Sequence, residues 1–159
     1  MNFDDAFERL LGHEGRYSFN PQDPGRETMW GVTAAVARAH GYAGPMRDMT
    51  LDQARAIYEP LYWQAVGADQ LPDALRFDLF DGAVNSGPLQ SIKWLQRALR
   101  VPDDGVIGVV TRKALDTTDP ALVAARYNGY RLQFMSTLSI WPSFGRGWAN
   151  RVAKNLIDL

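Results

Sequence analysis

The sequence predicts a mainly α-helical protein with one short irregular hairpin, on three observations. Apolar residues recur at helical spacing through most of the chain. Capping signals stand where those runs begin. Period-two alternation is not convincing anywhere, and residues 16–33 are the one place where strands are allowed.

The first helix follows from Phe3, Phe7, Leu10 and Leu11, with Asn2 as N-cap and Asp4 and Asp5 suited to the positive helix start. Gly12 and Gly15 mark its end, and Glu14 falls on an extension of the same apolar stripe. Residues 17–31 mix prolines, glycines, Asn20 and Asp23 without a period, which predicts a long loop or irregular hairpin. A loop of that length inside a compact domain usually carries function. Residues 32–40 predict a short helix stopped at Gly41. Thr50 and Gln53 predict a capping box, opening a helix with Leu51, Ala54, Ile57 and Tyr58 inward and Leu61 beyond, ended or kinked by Pro60.

Asp73 is placed to cap a central helix, because Leu75, Phe77, Leu79, Phe80 and Val84 lie nearly all round it. Gly87-Pro88 interrupts the chain, and Pro88 suits the first turn of a helix carrying Ile92, Leu95 and Leu99. Asp103-Asp104-Gly105 predicts a tight turn, Thr111 the start of a short helix, and Asp119-Pro120 the start of a long one reaching about Thr137. Gly147 precedes a last helix with Trp148, Val152 and Leu156 on one side. Trp94 and Trp148, among apolar neighbours, are expected in the core.

Composition narrows the function classes. At 159 residues the chain is one domain or two small lobes sharing a core, with 46% hydrophobic and 22% charged residues. A formal net charge of −1 argues against a nucleic-acid partner. Without cysteine there is no disulfide, thiol nucleophile or thiolate metal site, and with only His13 and His40 a histidine metal cluster is excluded. No metal or organic cofactor is expected. The acidic N-terminus lacks the basic region and apolar core of a secretory signal, and no window approaches a membrane span.

Glu14 is the leading candidate for a general acid. A helix-end glutamate can simply pair with Arg9, Arg16 or Arg26, but an apolar stripe desolvates the carboxyl and raises its pKa, as proton donation to a glycosidic oxygen requires. Asp23, Glu27 and Thr28 follow within fourteen positions. Asp23 in Gln-Asp-Pro-Gly is equally a turn former or a base activating water, and Glu27 is equally a second acid or a loop hydrogen-bonding group. On the central helix, Asp81 shares the inner face with Phe77 and Val84, and Asn85 lies one turn on. An interior polar network is the preferred account of that pair, and substrate orientation the alternative. Tyr17, Trp30, Tyr58 and Tyr62 are candidate sugar contacts, Trp30 first because of its place in the polar loop.

His-Glu-Gly-Arg-Tyr (13–17), followed by Asp-Pro-Gly-Arg-Glu-Thr-Met-Trp-Gly-Val-Thr (23–33), resembles the signature of glycoside hydrolase family 108, with Arg16 and Arg26 standing where the usual form has glycine. These N-acetylmuramidases occur as phage endolysins and as bacterial proteins that assist export through the wall. Tyr58–Trp63 and Asp81–Gly87 are similar to the family's following helices, and residues 90–157 to a small peptidoglycan-binding region. The resemblance implies a lysozyme-like α-helical fold, with a catalytic lobe over 1–88 and a peptidoglycan-binding-like lobe over 89–159 packed as one unit. It aligns Glu14 with the catalytic acid. Glu14 and Asp23 also have the spacing found in phage lysozymes with a Glu–Asp–Thr triad, although Thr28 follows Asp23 by five positions where that triad has six.

The implied activity is hydrolysis of the β-1,4 bond between N-acetylmuramic acid and N-acetylglucosamine in peptidoglycan glycan strands. A lytic transglycosylase and a non-catalytic wall-binding module are the alternatives. An endolysin would be a monomer made in the host cytoplasm, would act at the periplasmic wall, and would cross the inner membrane through a holin pore rather than by inserting in it.

Overall fold

The computed structural model describes residues 1–12, 17–19 and 27–158. These form eight α-helices and one three-stranded antiparallel sheet, and the chain divides into two compact units, residues 2–61 and residues 62–159 together with Met1. Among the described residues no helix is long and apolar enough to cross a membrane.

The first unit opens with α1 (Phe3–Leu11), started by a reciprocal capping box in which the Asn2 side chain accepts from the Asp5 N–H and Asp5 accepts from Asn2. The expected stripe position of Glu14 lies outside the described residues, because α1 ends at Leu11 with Gly12 as C-cap. The predicted hairpin is a sheet of β1 (Tyr17–Phe19), β2 (Glu27–Met29) and β3 (Val32–Thr33), in the order β1-β2-β3. Trp30 and Gly31 join β2 to β3 with φ of 54° and 77°. Two consecutive positive φ angles match the hairpin turn whose twist suits the flanking strands. Only glycine fits the second position, because a Cβ at Gly31 would lie 2.6 Å from the Tyr58 hydroxyl.

Thr33 caps α2 (Ala34–Ala39). The predicted capping box at Thr50 and Gln53 starts α3 (Leu51–Tyr58). Arg55 on α3 reaches Glu8 at 3.2 Å, Asp4 at 3.5 Å and Asp52 at 3.6 Å, tying α3 to α1. Behind these ions Phe7 packs edge-on against Tyr58 at 5.1 Å, with Met29, Val32, Met46 and Ile57 also buried. Pro60 does end the α-geometry, but the chain stays helical and widens into a π-helical turn over Glu59–Gln64.

The second unit is built round α4 (Asp73–Ser86), buried on nearly every side as predicted. Its N-cap is Pro72 rather than Asp73, which is the first helical residue and pairs with the chain's amino terminus. Around it pack α5 (Pro88–Leu99) and α7 (Pro120–Ser136, capped by Asp119), with α8 (Trp141–Ile157) against α7. Gly82 lets α7 approach α4 closely, since a Cβ there would meet the Tyr127 hydroxyl at 1.9 Å. Helix α6 (Val109–Thr117) starts before Thr111, which is buried instead and takes part in a hydrogen-bond network. Helix α8 starts at Trp141, with Pro142 in its first turn, not at Gly147. Trp94 is a core residue as expected. Trp148 is only half-buried, its ring stacked on Phe144 at 5.9 Å.

Candidate active site

In the first unit the strand register fixes which predicted residues share a face. Tyr17 pairs with Met29, Ser18 with Thr28 and Phe19 with Glu27, while Thr28 also pairs with Thr33 and Met29 with Val32. Side chains alternate along a strand, so Tyr17, Glu27, Met29 and Val32 lie on one face and Ser18, Thr28 and Thr33 on the other. Glu27 and Thr28, neighbours in sequence, therefore point to opposite sides.

On the first face the Tyr17 hydroxyl donates to Glu27 Oε1 at 2.9 Å, and the Arg47 guanidinium lies over the Tyr17 ring at 4.8 Å. Tyr17 first, through its hydroxyl, and then the Glu27 charge raise the Arg47 pKa and hold it protonated. On the opposite face the Ser18 and Thr28 hydroxyls are 2.7 Å apart, and the Thr33 hydroxyl caps α2 by accepting from the Val36 N–H at 3.3 Å. This face is a row of hydroxyls, each able to donate or accept.

Trp30 stands at the turn beside both faces. Its backbone is in the left-handed region, which a bulky residue adopts only at a cost of about 1–2 kcal/mol. Its indole N–H donates to the Met49 carbonyl at 2.8 Å, so the ring edge is pinned while the side chain stays half-exposed. Tyr58 is 4% exposed and supports the turn from beneath. Glu14 and Asp23 lie outside the described residues.

The remaining candidates belong to the second unit. Tyr62 is half-buried, and burial raises its pKa. Asp81 is fully buried, and its oxygens accept from Arg131 Nη1 at 2.6 Å, Arg151 Nε at 2.7 Å and Asn155 Nδ2 at 3.2 Å. Burial alone would raise its pKa, but Arg131 and Arg151 more than offset this and hold the carboxyl below its ordinary range. Asp78, one turn earlier, accepts from Asn128 at 2.7 Å and Asn155 at 2.9 Å. Asn85 is exposed at the end of α4, its amide donating back to the Asp81 carbonyl at 2.8 Å. The interior-network account covers Asp81, whose oxygens accept from two arginines and an asparagine, while Asn85 is tied to it but exposed.

Sequence reasoning missed Arg47, Ser18 and Thr33. No periodic signal could have found Arg47, which reaches Tyr17 across thirty positions of chain. Alternation in the hairpin could have found the other two, had its register been known. Among the described residues no cluster of three His, Asp or Glu side chains is placed to hold a metal ion.

A family model described as glycosyl hydrolase 108 matches residues 7–87. The chain belongs to the glycosyl hydrolase 108 family. A second model, described as a predicted peptidoglycan domain, matches residues 90–153. A solved structure described as that of Brucella abortus SagA is 31% identical, with a TM-score of 0.88, over 98% of this chain and 92% of that one. No curated protein matches the chain. As a glycosyl hydrolase 108 protein with a peptidoglycan region, the chain has a lysozyme-like, mainly α fold and is a glycosidase of peptidoglycan acting at the cell wall. The two matches meet between residues 87 and 90, on the Gly87-Pro88 interruption, whereas the compact units divide at Leu61 and Tyr62.

Proposed function

We propose that the chain is an N-acetylmuramidase, cleaving the β-1,4 bond between N-acetylmuramic acid and N-acetylglucosamine with Glu14 as the proton donor. The observation that carries this reading is the span of the glycosyl hydrolase 108 match, whose residues 7–87 contain Glu14, Asp23 and the whole hairpin. A glycosidase needs one protonated carboxyl at the leaving oxygen and a second group that either holds the attacking water or stabilises charge on the sugar.

For the second group the hairpin favours Asp23 with Thr28 over Glu27. The Glu27 carboxylate is engaged by Tyr17 beneath Arg47, which suits a positioning role. Thr28 belongs to the hydroxyl face, whose donors and acceptors are suited to a water or a sugar hydroxyl. Trp30, held by its ring edge, would offer a face to a sugar ring. No step requires a metal or an organic cofactor, and a single copy of the chain carries every group invoked. Residues 1–88 would form the catalytic lobe and 89–159 the wall-binding one. Lysis through a holin and wall opening for export share this chemistry, and co-expression with and without a holin separates them.

The test is loss of turbidity of purified peptidoglycan, with mass analysis of the products, for the wild type, Glu14→Gln and Asp23→Asn. Reducing N-acetylmuramic acid ends are expected from the wild type, with Glu14→Gln inactive. Anhydro-muramic ends would replace hydrolysis by transglycosylation, and an active Glu14→Gln would remove the assigned acid.

A further inference from the structure

One buried side chain organises part of the surface of the second unit. Gln96 on α5 is 1% exposed. Its Nε2 donates to Asp104 Oδ1 at 2.7 Å, the Val106 carbonyl at 3.0 Å and Thr111 Oγ1 at 3.2 Å, and its Oε1 accepts from the Gly105 N–H at 2.8 Å. The segment from Asp104 to Thr111 is thus fixed from below before any ligand arrives. Yet it turns apolar side chains to water, with Val106 63%, Val109 83% and Val110 61% exposed. Clustered exposed β-branched residues on an anchored segment mark an interaction surface more often than a loop in solvent.

Val106 is also on the wall of a groove of about 750 Å³. Leu71, Ile92 and Leu115 form apolar wall, and Asp69, Arg76, Arg112 and Asp116 supply charge. The Asp69 carboxylate already accepts from Trp63 Nε1 at 3.0 Å. Arg76 is already committed, its Nε donating to the Leu71 carbonyl at 3.0 Å and Nη1 to the Met1 carbonyl at 2.8 Å. Arg112 and Asp116, exposed one turn apart on α6, form no ion pair among the described residues. The groove therefore offers a largely polar surface with an apolar wall along part of it, on which Arg112 and Asp116 are available as cation and anion. Among the described residues no aromatic ring lines it, so they offer no stacking platform of the kind a sugar ring prefers.

That combination fits a short zwitterionic peptide with small apolar side chains. We propose that the groove binds the peptide stem of peptidoglycan: Arg112 takes a stem carboxylate, Asp116 takes the ammonium of the stem's diamino acid, and the apolar wall takes the alanyl methyls. The proposal rests on peptidoglycan as the substrate and adds a second contact with it, separate from the glycan bond that is cut.

The experiment is an NMR titration of the wild-type full chain with synthetic L-alanyl-γ-D-glutamyl-diaminopimelyl-D-alanine and, separately, with a peptide-free N-acetylglucosamine oligomer. The peptide has no glycosidic bond, so its binding is read independently of Glu14 and of turnover. Saturable shifts of the amides of residues 104–116 are expected with the peptide. Reversing the charge in Arg112→Glu should weaken binding about tenfold or more, the worth of one charge-assisted hydrogen bond. Asp116→Lys should weaken the diaminopimelyl peptide more than one carrying alanine in its place. Absence of shifts, affinity unchanged in Arg112→Glu, or the sugar oligomer shifting the same amides would each overturn the proposal. None of these results bears on whether Glu14 cuts the glycan.

Discussion

The hairpin of residues 17–33 and the middle of α4 use the same kinds of side chain and treat them in opposite ways. Around α4, Asp78 and Asp81 are sunk among helices, with Asn128, Asn155, Arg131 and Arg151 directed at their oxygens. In the hairpin, Tyr17, Glu27, Ser18 and Thr28 are paired in short contacts but remain partly open to water. A buried carboxylate has to be neutralised within the protein, and that use excludes a ligand. A half-exposed pair can exchange one partner for a sugar hydroxyl or water at little cost. On this contrast α4 is expected to hold the fold, and the hairpin, under the proposed function, to meet the substrate.

The largest expected effect tests the hairpin side. Glu14→Gln should lower turnover of purified wall by about 10²–10⁴-fold, the usual worth of a positioned proton donor. Its thermal midpoint should stay near that of the wild type. A parallel loss of stability and activity would mean that Glu14 belongs with the α4 acids.

Arg131→Met tests the other side. It removes the 2.6 Å bond to Asp81 and leaves a buried carboxylate with one fewer cation, which should destabilise the chain by about 3–5 kcal/mol in urea unfolding. Activity per folded molecule should hold. The pH dependence follows from the same ions. Asp81 has a folded pKa below its ordinary value of 3.8, so its contribution is complete above that value and is lost as the pH falls through the folded one. Stability should drop below about pH 4, and Asp81→Asn, already weaker at neutral pH, should lack that part of the acid limb. Unfolding curves at stepped pH read both.

A finer comparison lies within the hairpin. Because Glu27 and Thr28 face opposite ways, their variants should separate. Thr28→Ala should lower turnover by about ten- to a hundredfold, as expected for a lost hydrogen bond in the transition state. Glu27→Gln, which keeps a group able to accept from Tyr17, should have the smaller effect. The reverse order would move the second catalytic role to the Tyr17 face.

The helices were readable because their signals are local. The Asn2 and Thr50 capping boxes, the Asp119-Pro120 start and the all-round apolar character of α4 each depend on residues a few positions apart. The misplaced starts of α6 and α8 have different causes, one tertiary and one local. Thr111 is drawn into the network of Gln96, fifteen positions away, and α8 begins on a tryptophan-proline pair that the sequence reading did not weigh. The hairpin was foreseen, but its register was not. Its second turn uses Trp-Gly where short-range rules look for Asn-Gly or Asp-Gly. The acids of α4 were legible as a network in outline, because buried polar groups require partners. Which arginines supplied them depended on α7 and α8 folding back, and nothing near Asp81 in sequence announces that.

Trp30 gives the smallest expected change and the sharpest division between the two roles. Asparagine suits a left-handed backbone better than tryptophan, so Trp30→Asn should recover about 1 kcal/mol at the turn. It also loses the indole bond to the Met49 carbonyl, worth about 1 kcal/mol, together with the partly buried ring. The strain and the indole bond roughly offset each other, and the partly buried ring leaves a net destabilisation of about 1–2 kcal/mol. A bulky residue held in a strained backbone at a half-exposed turn is a candidate for function, and under the proposed function a ring presented to a sugar would account for its place. Under the proposed function, binding to peptidoglycan should therefore weaken in Trp30→Asn by more than this small shift in the unfolding curve explains. If the variant instead lost several kcal/mol and bound wall as before, Trp30 would be structural in the same sense as Arg131.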